Sequence, residues 1–361
     1  MIYLIDLESV ESRYTSQWKE HFPKMIKEQG LEVTVIDGPE HIAACTTPGA
    51  FLNFSGTNVY KSVQVEKFSK LFSNNEINPG DHFVFADAWH PGIINLKYMS
   101  ELLNVPIKIH ALWHAGSYDP ADFLGRLIGD ARWVRNFEKS LFEAIDFNYF
   151  ATDFHIRMFF ENLLDVDERT GRIRYMPSGK VTRAGWPMEY VSEQIQPAEQ
   201  KENIVLFPHR LAPEKQVDIF NALSWESEYE FITCQDKNLT KDAYHKLLAR
   251  SKVVFSANLQ ETLGISCYEI LHAGGIPLVP DRLSYTEMYP DIFKYPSEWT
   301  TNAKNFLVEY KTPMKEKLQW LIENFDSEEV QTAIETTKQH LSEEYFSANN
   351  IYKNLGAINA T

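Results

Sequence analysis

The sequence predicts an α/β protein built from two Rossmann-like domains, each with a parallel sheet. Short, nearly continuous apolar segments alternate with amphipathic segments along most of the chain, a pattern typical of parallel strands buried between helices. The length of 361 residues is sufficient for two domains. A segment rich in Gln, Glu and Pro, Glu189–Glu202, interrupts the alternation, and we predict the domain boundary there.

In the first half, continuous apolar runs predict strands, and apolar residues at a helical period predict helices. The predicted strands are Ile2–Asp6, Glu32–Ile36, His82–Ala86, Ile107–Leu112 and Asn148–Ala151. The predicted helices are Tyr14–Gln29, 62–73, 93–103 and 120–143. Gly30 closes the first of these helices, and Asp119-Pro120 offers a capping residue and a first-turn proline to the last.

The second half repeats the alternation, which indicates a second sheet. The predicted strands are Ile204–Phe207, Glu230–Thr233, Lys252–Ser256 and Ile276–Val279. The predicted helices are Pro213–Leu223, Lys241–Ala249 and 265–272, with further helices to the end of the chain. Residues 1–190 and 203–340 are therefore predicted as the two domains.

Composition restricts the location and the partners of the protein. No apolar run is long enough for a transmembrane helix, and the N-terminus has no basic leader, so a cytoplasmic protein without membrane insertion is expected. The net charge of −15 argues against nonspecific polyanion binding by the whole surface. Cys45, Cys234 and Cys267 are far apart in sequence, which favours reduced, buried thiols over a disulfide framework or a metal site.

The segment Glu261-Thr-Leu-Gly-Ile-Ser-Cys-Tyr-Glu269 follows a predicted strand and begins a predicted helix. Gly264 relaxes the turn, and the free N–H groups at a helix start favour an anion. The two glutamates are placed to hold hydroxyl groups on either side of a bound phosphate, as a nucleotide sugar requires. The alternative is an ordinary strand–turn–helix with two solvated glutamates.

A second motif, Phe207-Pro-His-Arg-Leu-Ala-Pro-Glu-Lys215, directly follows the first strand of the second domain. Arg210 and Lys215 are expected at the carboxyl edge of the sheet, where two cations would neutralise a diphosphate leaving group. The alternative is that both residues only cap a loop. The two motifs together are much more specific than either alone.

Together with Ala273-Gly-Gly-Ile-Pro-Leu-Val-Pro280, these motifs resemble the donor-binding domain of GT-B glycosyltransferases of family 4. Members of that family are retaining enzymes that use nucleotide-activated sugars. The resemblance implies two Rossmann-like domains facing each other across a cleft, an N-terminal acceptor domain and a C-terminal donor domain. It also implies that a helix in 341–361 crosses back to the first domain.

The resemblance assigns roles to individual residues. It implies that Arg210 and Lys215 contact the pyrophosphate, and that Glu261 contacts the hydroxyls of the donor sugar. Glu269 is implied to bind the ribose hydroxyls. The backbone N–H groups implied to surround the phosphate and the sugar are those of Leu263, Gly264 and Ile265.

Within that family, short blocks resemble the tRNA-queuosine mannosyltransferase type. These blocks are Leu112-Trp-His-Ala115, Ala151-Thr-Asp-Phe-His155, Phe207-Pro-His-Arg210 and Pro280-Asp-Arg-Leu-Ser-Tyr-Thr-Glu-Met-Tyr-Pro290. The chain departs from the family after its first strand, where Glu8-Ser-Val-Glu-Ser-Arg-Tyr14 replaces a glycine-rich turn. Ser12 and Arg13 are candidates to substitute for that turn at the donor phosphate.

Candidate acceptor residues lie in the first half. His114 follows a predicted strand, so its imidazole is expected at the carboxyl edge, where it would hydrogen-bond the donor sugar or the acceptor. The alternative is a satisfied, half-buried histidine. Asp87, Trp89 and His90 end another strand and are a candidate acceptor wall, with aromatic packing over a helix start as the alternative.

The expected reaction is transfer of a sugar from a nucleotide sugar, most simply a UDP-sugar with a GDP-sugar as the alternative, to a hydroxyl group. No required metal or other cofactor is expected. Arg169, Arg172 and Arg174, together with the queuosine-type blocks, favour a modified base in phage DNA or in tRNA as the acceptor. The alternatives are a polysaccharide or lipid-linked glycan acceptor, or a non-catalytic nucleotide-sugar-binding protein. The sequence leaves the oligomeric state open.

Overall fold

A computed structural model describes residues 1–8, 14–40, 52–164, 179–237 and 239–357. The chain divides into two compact units. The first unit comprises Met1–Met188 and the segment that starts at Ser347, and the second unit is Glu189–Phe346. Each unit contains one parallel sheet with helices between its strands, so the predicted class of two parallel-sheet α/β domains is confirmed.

The first unit has a six-stranded sheet in the order β2-β1-β3-β4-β5-β6, and every pair is parallel. Its strands are β1 (Ile2–Ile5), β2 (Val33–Ile36), β3 (His82–Phe85), β4 (Lys108–Trp113), β5 (Phe147–Phe150) and β6 (Val181–Arg183). Ile5 pairs with both Ile36 and Phe85, so the segments that follow β1 and β3 leave the sheet at the same edge.

Helices connect these strands and bury the sheet. They are α1 (Tyr14–Glu28), α2 (Phe54–Ser73), α3 (Gly92–Leu102), α4 (Phe123–Ile128), α5 (Arg132–Ala144) and α6 (Asp153–Asn162). The core is strongly aromatic. Phe68, Phe83, Phe85, Trp113 and Phe159 are fully buried in it.

The prediction of one helix over 120–143 is wrong, because the structure has α4 and α5 there. The N-cap is Asp122, whose carboxylate accepts a hydrogen bond from the N–H of Leu124 at 3.0 Å. The Asp119 carboxylate instead accepts a hydrogen bond from the N–H of Ala121 and closes a turn that contains Pro120. Gly129 follows α4 directly, and its low helix propensity favours the break.

The second unit has a five-stranded parallel sheet in the order β11-β10-β9-β7-β8. Its strands are β7 (Glu202–Phe207), β8 (Glu230–Thr233), β9 (Ser251–Phe255), β10 (Ile276–Pro280) and β11 (Lys294–Tyr295). Strand β10 is buried throughout, and β7 and β9 are buried over Ile204–Phe207 and Val253–Phe255. Leu206 pairs with Val254, so the segments after β7 and β9 leave this sheet at one edge.

The helices of the second unit begin within the predicted linker and continue beyond the sheet. They are α7 (Val191–Gln194), α8 (Val217–Ser224), α9 (Lys241–Arg250), α10 (Ile265–His272), α11 (Tyr285–Met288), α12 (Ala303–Asn305), α13 (Lys311–Glu323) and α14 (Glu328–Glu344). Four 3₁₀ turns lie at Pro213–Lys215, Cys234–Lys237, Asp291–Phe293 and Ser297–Thr300, and one π-helical turn at Phe306–Tyr310.

The predicted helix Pro213–Leu223 is also divided. Gln216 has a left-handed backbone, with φ of 54°, and separates the 3₁₀ turn from α8. Its side-chain amide donates to the carbonyls of Ala257 and Thr300, both at 2.6 Å, which fixes this conformation. The break keeps Lys215 beside the loop that follows β9.

The last helix, α15 (Asn349–Asn354), belongs to the first unit. The amide of Asn350 donates to the carbonyl of Arg183 at 3.0 Å, and the amide of Asn354 donates to the hydroxyl of Tyr149 at 3.1 Å. Among the described residues, no helix is both long and apolar enough to cross a bilayer.

Candidate functional site

In the second unit, the loops after β7 and β9 meet at the carboxyl edge of the sheet. The Lys215 ammonium lies 3.3 Å from a carboxylate oxygen of Glu261 and donates to the carbonyl of Gln260 at 2.6 Å. The N–H of Leu259 donates to the carbonyl of Glu214 at 2.8 Å, which joins the two loops through their backbones. The structure therefore brings together Lys215 and Glu261, which sequence spacing alone only suggests.

Glu261 is held as a carboxylate. Burial raises the pKa of this carboxyl, but the Lys215 ammonium and the N–H of Leu263 lower it, and the net pKa lies below its ordinary value. The Thr262 N–H and the Asn258 amide also donate to it, at 3.1 and 3.2 Å. A negative charge is thus fixed beside the single ammonium of Lys215.

Arg282 supports the loop that carries Glu261 by hydrogen bonds to its backbone. Its guanidinium donates to the carbonyls of Ala257 and Asn258, each at 2.8 Å. Asn258 also donates to the hydroxyl of Tyr285 at 3.1 Å. Sequence reasoning missed Asn258, Arg282 and Tyr285 as site residues, although Arg282 and Tyr285 lie within the block Pro280–Pro290 that it singled out.

Gly264 is the N-cap of α10 and has a left-handed backbone, with φ of +81°. A Cβ atom there would lie 2.8 Å from a ring carbon of Tyr285, so the position excludes a side chain. Leu263 and Ile265 flank it, and the helix begins at Ile265. The predicted turn and helix start are both confirmed, and the start of α10 provides N–H groups at this edge.

Arg210 and His209 follow β7 at the same edge. The Arg210 guanidinium forms an ion pair with Glu214, within the same loop. His209 is buried, and its Nε2 has no hydrogen-bond partner among the described residues. Burial, aided by the Lys215 charge, lowers the pKa of His209 to about 3, so its imidazole is neutral. Sequence reasoning did not select His209, although it precedes Arg210 in the motif.

Glu269 lies in a different set of contacts, on α10 facing α9. Its carboxylate accepts hydrogen bonds from the Lys241 ammonium at 2.7 Å and from the Tyr244 hydroxyl at 2.8 Å. Burial raises the pKa of Glu269, but the charge of Lys241 and the hydrogen bonds from Lys241 and Tyr244 outweigh it and lower the pKa to about 2. The alternative of a solvated glutamate does not describe this buried residue.

The first unit contains a cavity of about 640 Å³ at the carboxyl edge of its sheet. Asp87, Trp89 and His114 line it, as part of a wall that is mainly apolar. His90 does not line it. His90 is buried, its Nε2 pairs with the amide oxygen of Gln64 at 3.1 Å, and its Nδ1 accepts the N–H of Gly92 at 2.9 Å.

Lys61 is a cavity residue that sequence reasoning missed. Its ammonium lies 3.1 Å from the Asp87 carboxylate and donates to the carbonyl of Trp89 at 2.5 Å. Burial raises the pKa of Asp87, but Lys61 and further contacts outweigh it, so the net pKa lies below its ordinary value. The Trp89 indole donates to Glu138 at 2.7 Å, which orients its ring in the wall.

Both ring nitrogens of His114 contact protein groups. Nε2 lies 2.6 Å from the carbonyl of Ala86, and since a carbonyl only accepts, Nε2 carries the proton. Nδ1 then accepts the hydroxyl of Tyr14 at 2.8 Å. Burial lowers the pKa of His114, so this single tautomer of the neutral ring is favoured.

Two buried polar side chains of the cavity wall lack hydrogen-bond partners among the described residues. Glu8 is 6% exposed, and neither of its carboxylate oxygens is bonded. Thr57 is 5% exposed, and its hydroxyl is likewise unbonded. Sequence reasoning noted the atypical Glu8–Tyr14 loop but selected Ser12 from it rather than Glu8.

Several predicted residues lie outside the described residues: Ser12, Arg13, Cys45, Arg169, Arg172 and Arg174. Cys234 and Cys267 are buried free thiols. The described ranges contain no group of three or more His, Cys, Asp or Glu side chains arranged to hold a metal ion.

Neither a protein-family model nor a curated protein sequence matches the chain. Solved structures do match it. Sucrose-phosphate synthase from Thermosynechococcus elongatus has a TM-score of 0.65 at 10% identity, covering 98% of this chain and 97% of its own. HepE from Anabaena in complex with UDP and glucose has a TM-score of 0.54 at 10% identity, covering 98% and 97%.

The pneumococcal O-GlcNAc transferase GtfA in complex with UDP and GlcNAc has a TM-score of 0.53 at 12% identity, covering 82% of this chain and 59% of its own. At these identities the likeness shows a shared fold. The predicted GT-B class of fold is therefore confirmed. Membership of family 4 and similarity to the tRNA-modifying type stay predictions.

Proposed function

We propose that this protein is a glycosyltransferase that transfers a sugar from a nucleotide sugar, bound by the second unit, to a hydroxyl acceptor. The contact between Lys215 and Glu261, beside the start of α10, is the observation that carries this proposal. A cation, a carboxylate and helix N–H groups at one sheet edge suit a molecule that has both a diphosphate and sugar hydroxyls.

Each residue then has a chemical task. Lys215 and Arg210 neutralise the diphosphate, aided by the N–H groups of the segment 263–265. Glu261 accepts hydrogen bonds from hydroxyls of the sugar. Glu269 accepts the ribose hydroxyls, because a carboxylate that already binds Lys241 and Tyr244 still has lone pairs available.

We propose transfer with retention of the anomeric configuration. The acceptor oxygen attacks the anomeric carbon on the face from which the diphosphate leaves. The bond from that carbon to the phosphate oxygen breaks, and the acceptor proton passes to the departing diphosphate. No protein nucleophile is needed, so the chain contributes chiefly orientation and stabilisation of the leaving charge. The anomeric configuration of the product, read by NMR, tests this point.

A UDP-sugar is the proposed donor. Two proteins that share the fold have been solved with UDP and a sugar: HepE with UDP and glucose, and GtfA with UDP and GlcNAc. A GDP-sugar is the alternative, and direct comparison of the two separates them. The modified-nucleobase acceptor depends on Arg169, Arg172 and Arg174, which lie outside the described residues. A salt-dependent shift with DNA or tRNA tests that acceptor.

The decisive experiment is calorimetric titration of the full chain with UDP-glucose, UDP-GlcNAc and GDP-mannose, followed by measurement of nucleotide release. We expect one of them to bind, and Lys215→Ala to weaken it by roughly 10-fold or more, since a hydrogen bond to a charged group is lost. Lys246→Ala is the matched control, because this lysine is 74% exposed and pairs with Asp242 on the same helix. Equal affinity in the two variants would contradict the proposal.

A further inference from the structure

We infer that the cavity of the first unit binds a compact acceptor with an apolar, ring-like body and a hydroxyl group that donates a hydrogen bond to Glu8. Naming this ligand as the sugar acceptor rests on the proposed function. The cavity and its unpaired polar groups do not.

The walls of the cavity select for an apolar body. Aromatic rings form much of its surface, from Tyr14, Phe54, Trp89, Phe123, Trp133 and Phe137. A volume of about 640 Å³ falls within the range of pockets that enclose a single small molecule. Flat aromatic walls favour a planar or cyclic ligand, because stacking and edge contacts add to the burial of apolar area.

Glu8 requires a hydrogen-bond donor from the ligand. A carboxyl group that is 6% exposed and has both oxygens unbonded is costly to the folded protein, since burial removes the water that would otherwise bond to it. Both of its oxygens can accept a hydrogen bond, so a ligand group that donates one would complete the site. A ligand hydroxyl does so, and the Thr57 hydroxyl is a second unbonded group of the same cavity.

The charges of the cavity wall disfavour a phosphodiester or another anion. Of the described lining residues, Glu8 and Asp87 are acidic and Lys61 is basic, and Lys61 is already engaged by Asp87 and the Trp89 carbonyl. A phosphate in the cavity would meet an unpaired carboxylate and no available cation of that described wall. An oligosaccharide would leave many hydroxyls against apolar rings, at the cost of their hydration.

The cavity opens through an apolar rim. Leu127 and Trp133 line it and are nevertheless 66% and 61% exposed, so they stand where the cavity meets solvent. Leu127 lies near the end of α4 and Trp133 near the start of α5. An apolar molecule therefore meets apolar surface both at the entrance and inside.

Two fluorescent probes that share one ring system and differ by a methyl group on one oxygen test this inference: 7-hydroxy-4-methylcoumarin and 7-methoxy-4-methylcoumarin. The first donates a hydrogen bond and the second does not. Titrated into the full chain at a pH where the hydroxyl is protonated, the hydroxy probe should bind ~10-fold more tightly, as expected for a hydrogen bond to a charged acceptor.

Glu8→Leu should remove this preference and leave the methoxy probe bound as before, whereas Glu8→Gln, a neutral acceptor, should give an intermediate preference. Glu66→Leu is the control, because this glutamate is exposed on α2 and does not line the cavity. Trp133→Ala should weaken both probes several-fold. It provides a second test at an exposed position where folding is unaffected.

The inference is overturned if neither coumarin binds saturably, if both bind native protein equally, or if Glu8→Leu keeps the preference. It is also overturned if an oligothymidylate or maltoheptaose displaces the hydroxy probe more effectively than the methoxy probe does. Lys215→Ala should leave probe binding unchanged. Probe binding without any binding of nucleotide sugars would therefore contradict the proposed function and leave the cavity assignment intact. Binding of a nucleotide sugar without any probe binding would contradict the cavity assignment and leave the proposed function intact.

Discussion

Both units place acidic side chains where their parallel strands end, but the first unit leaves one of them, Glu8, unpaired among the described residues. Glu261 contacts Lys215, and Glu269 contacts Lys241 and Tyr244. Glu8 of the first unit lies in a largely apolar wall without a partner among the described residues. The second unit therefore has its charges fixed before any ligand arrives, whereas the first requires a ligand to complete Glu8.

This contrast indicates different tasks for the two edges. Preorganised charges suit a ligand of constant chemistry, such as a diphosphate, because no reorganisation is needed on binding. An apolar cavity with an unpaired acceptor suits a ligand defined by shape and by one donor group. Removal of the Glu8 carboxylate and removal of the Glu261 carboxylate should consequently change the stability of the protein with opposite signs.

The largest effect is expected for the Lys215–Glu261 contact. Lys215→Met leaves the Glu261 carboxylate, whose side chain is 20% exposed, without its counter-charge and should reduce the free energy of unfolding by about 3 kcal/mol, the low end for a buried pair. Adding Glu261→Leu should restore most of that loss, since no buried charge then stays unpaired. Urea unfolding of the two single variants and the double variant measures this. A double variant as unstable as the sum of the singles would show that the residues do not interact.

Glu269 should make the second unit sensitive to acid. Its pKa of about 2 lies below the ordinary value of 4.5, so its contribution to stability is present at neutral pH and is lost as the pH falls from about 4.5 to 2. The shift corresponds to ~3 kcal/mol. Glu269→Gln should remove this part of the pH dependence. Denaturant titrations at several pH values test it, and an unchanged slope in the variant would contradict it.

Asp6 should act in the opposite direction in the first unit. Burial raises its pKa to about 6, although the Tyr60 hydroxyl, 2.6 Å from the carboxylate, opposes this. Because the folded protein favours the protonated form, stability is greatest below pH 4 and is lost as the pH rises through 6, by up to ~3 kcal/mol. Asp6→Asn keeps an acceptor for Tyr60 and should flatten this range. If the variant keeps the native dependence of stability on pH between 4 and 6, that dependence does not come from Asp6.

The sequence predicts the second unit well because its strands and its site are local patterns. The strand Glu230–Thr233 and the helix 265–272 are confirmed to the residue, and Gly264 has the left-handed backbone that the turn requires. The strands that were missed are short: β6 has three residues, and β11 has two. The long helix predicted over 120–143 fails because Asp122 rather than Asp119 caps its start and because the helix breaks at Gly129.

Tertiary contacts explain why the sites were only partly predictable. Lys61 is on α2 and meets Asp87 only after the sheet has formed. Glu8 follows β1 with no local motif, and its burial without a partner depends on α2 and α4 covering the same cavity. Periodicity identifies where strands end, but it does not indicate which of the neighbouring acids is left unpaired.

The smallest effect distinguishes the two edges most directly. Glu8→Leu should raise the free energy of unfolding by about 1–2 kcal/mol, because it removes an unbonded, buried carboxylate and adds apolar contacts. The same type of change at Glu261 should destabilise the protein, and Glu66→Leu on the exposed face of α2 should be nearly neutral. Thermal and urea unfolding compare the three variants. Destabilisation by Glu8→Leu would mean that Glu8 has a partner in the folded chain, and the contrast between the units would then no longer hold.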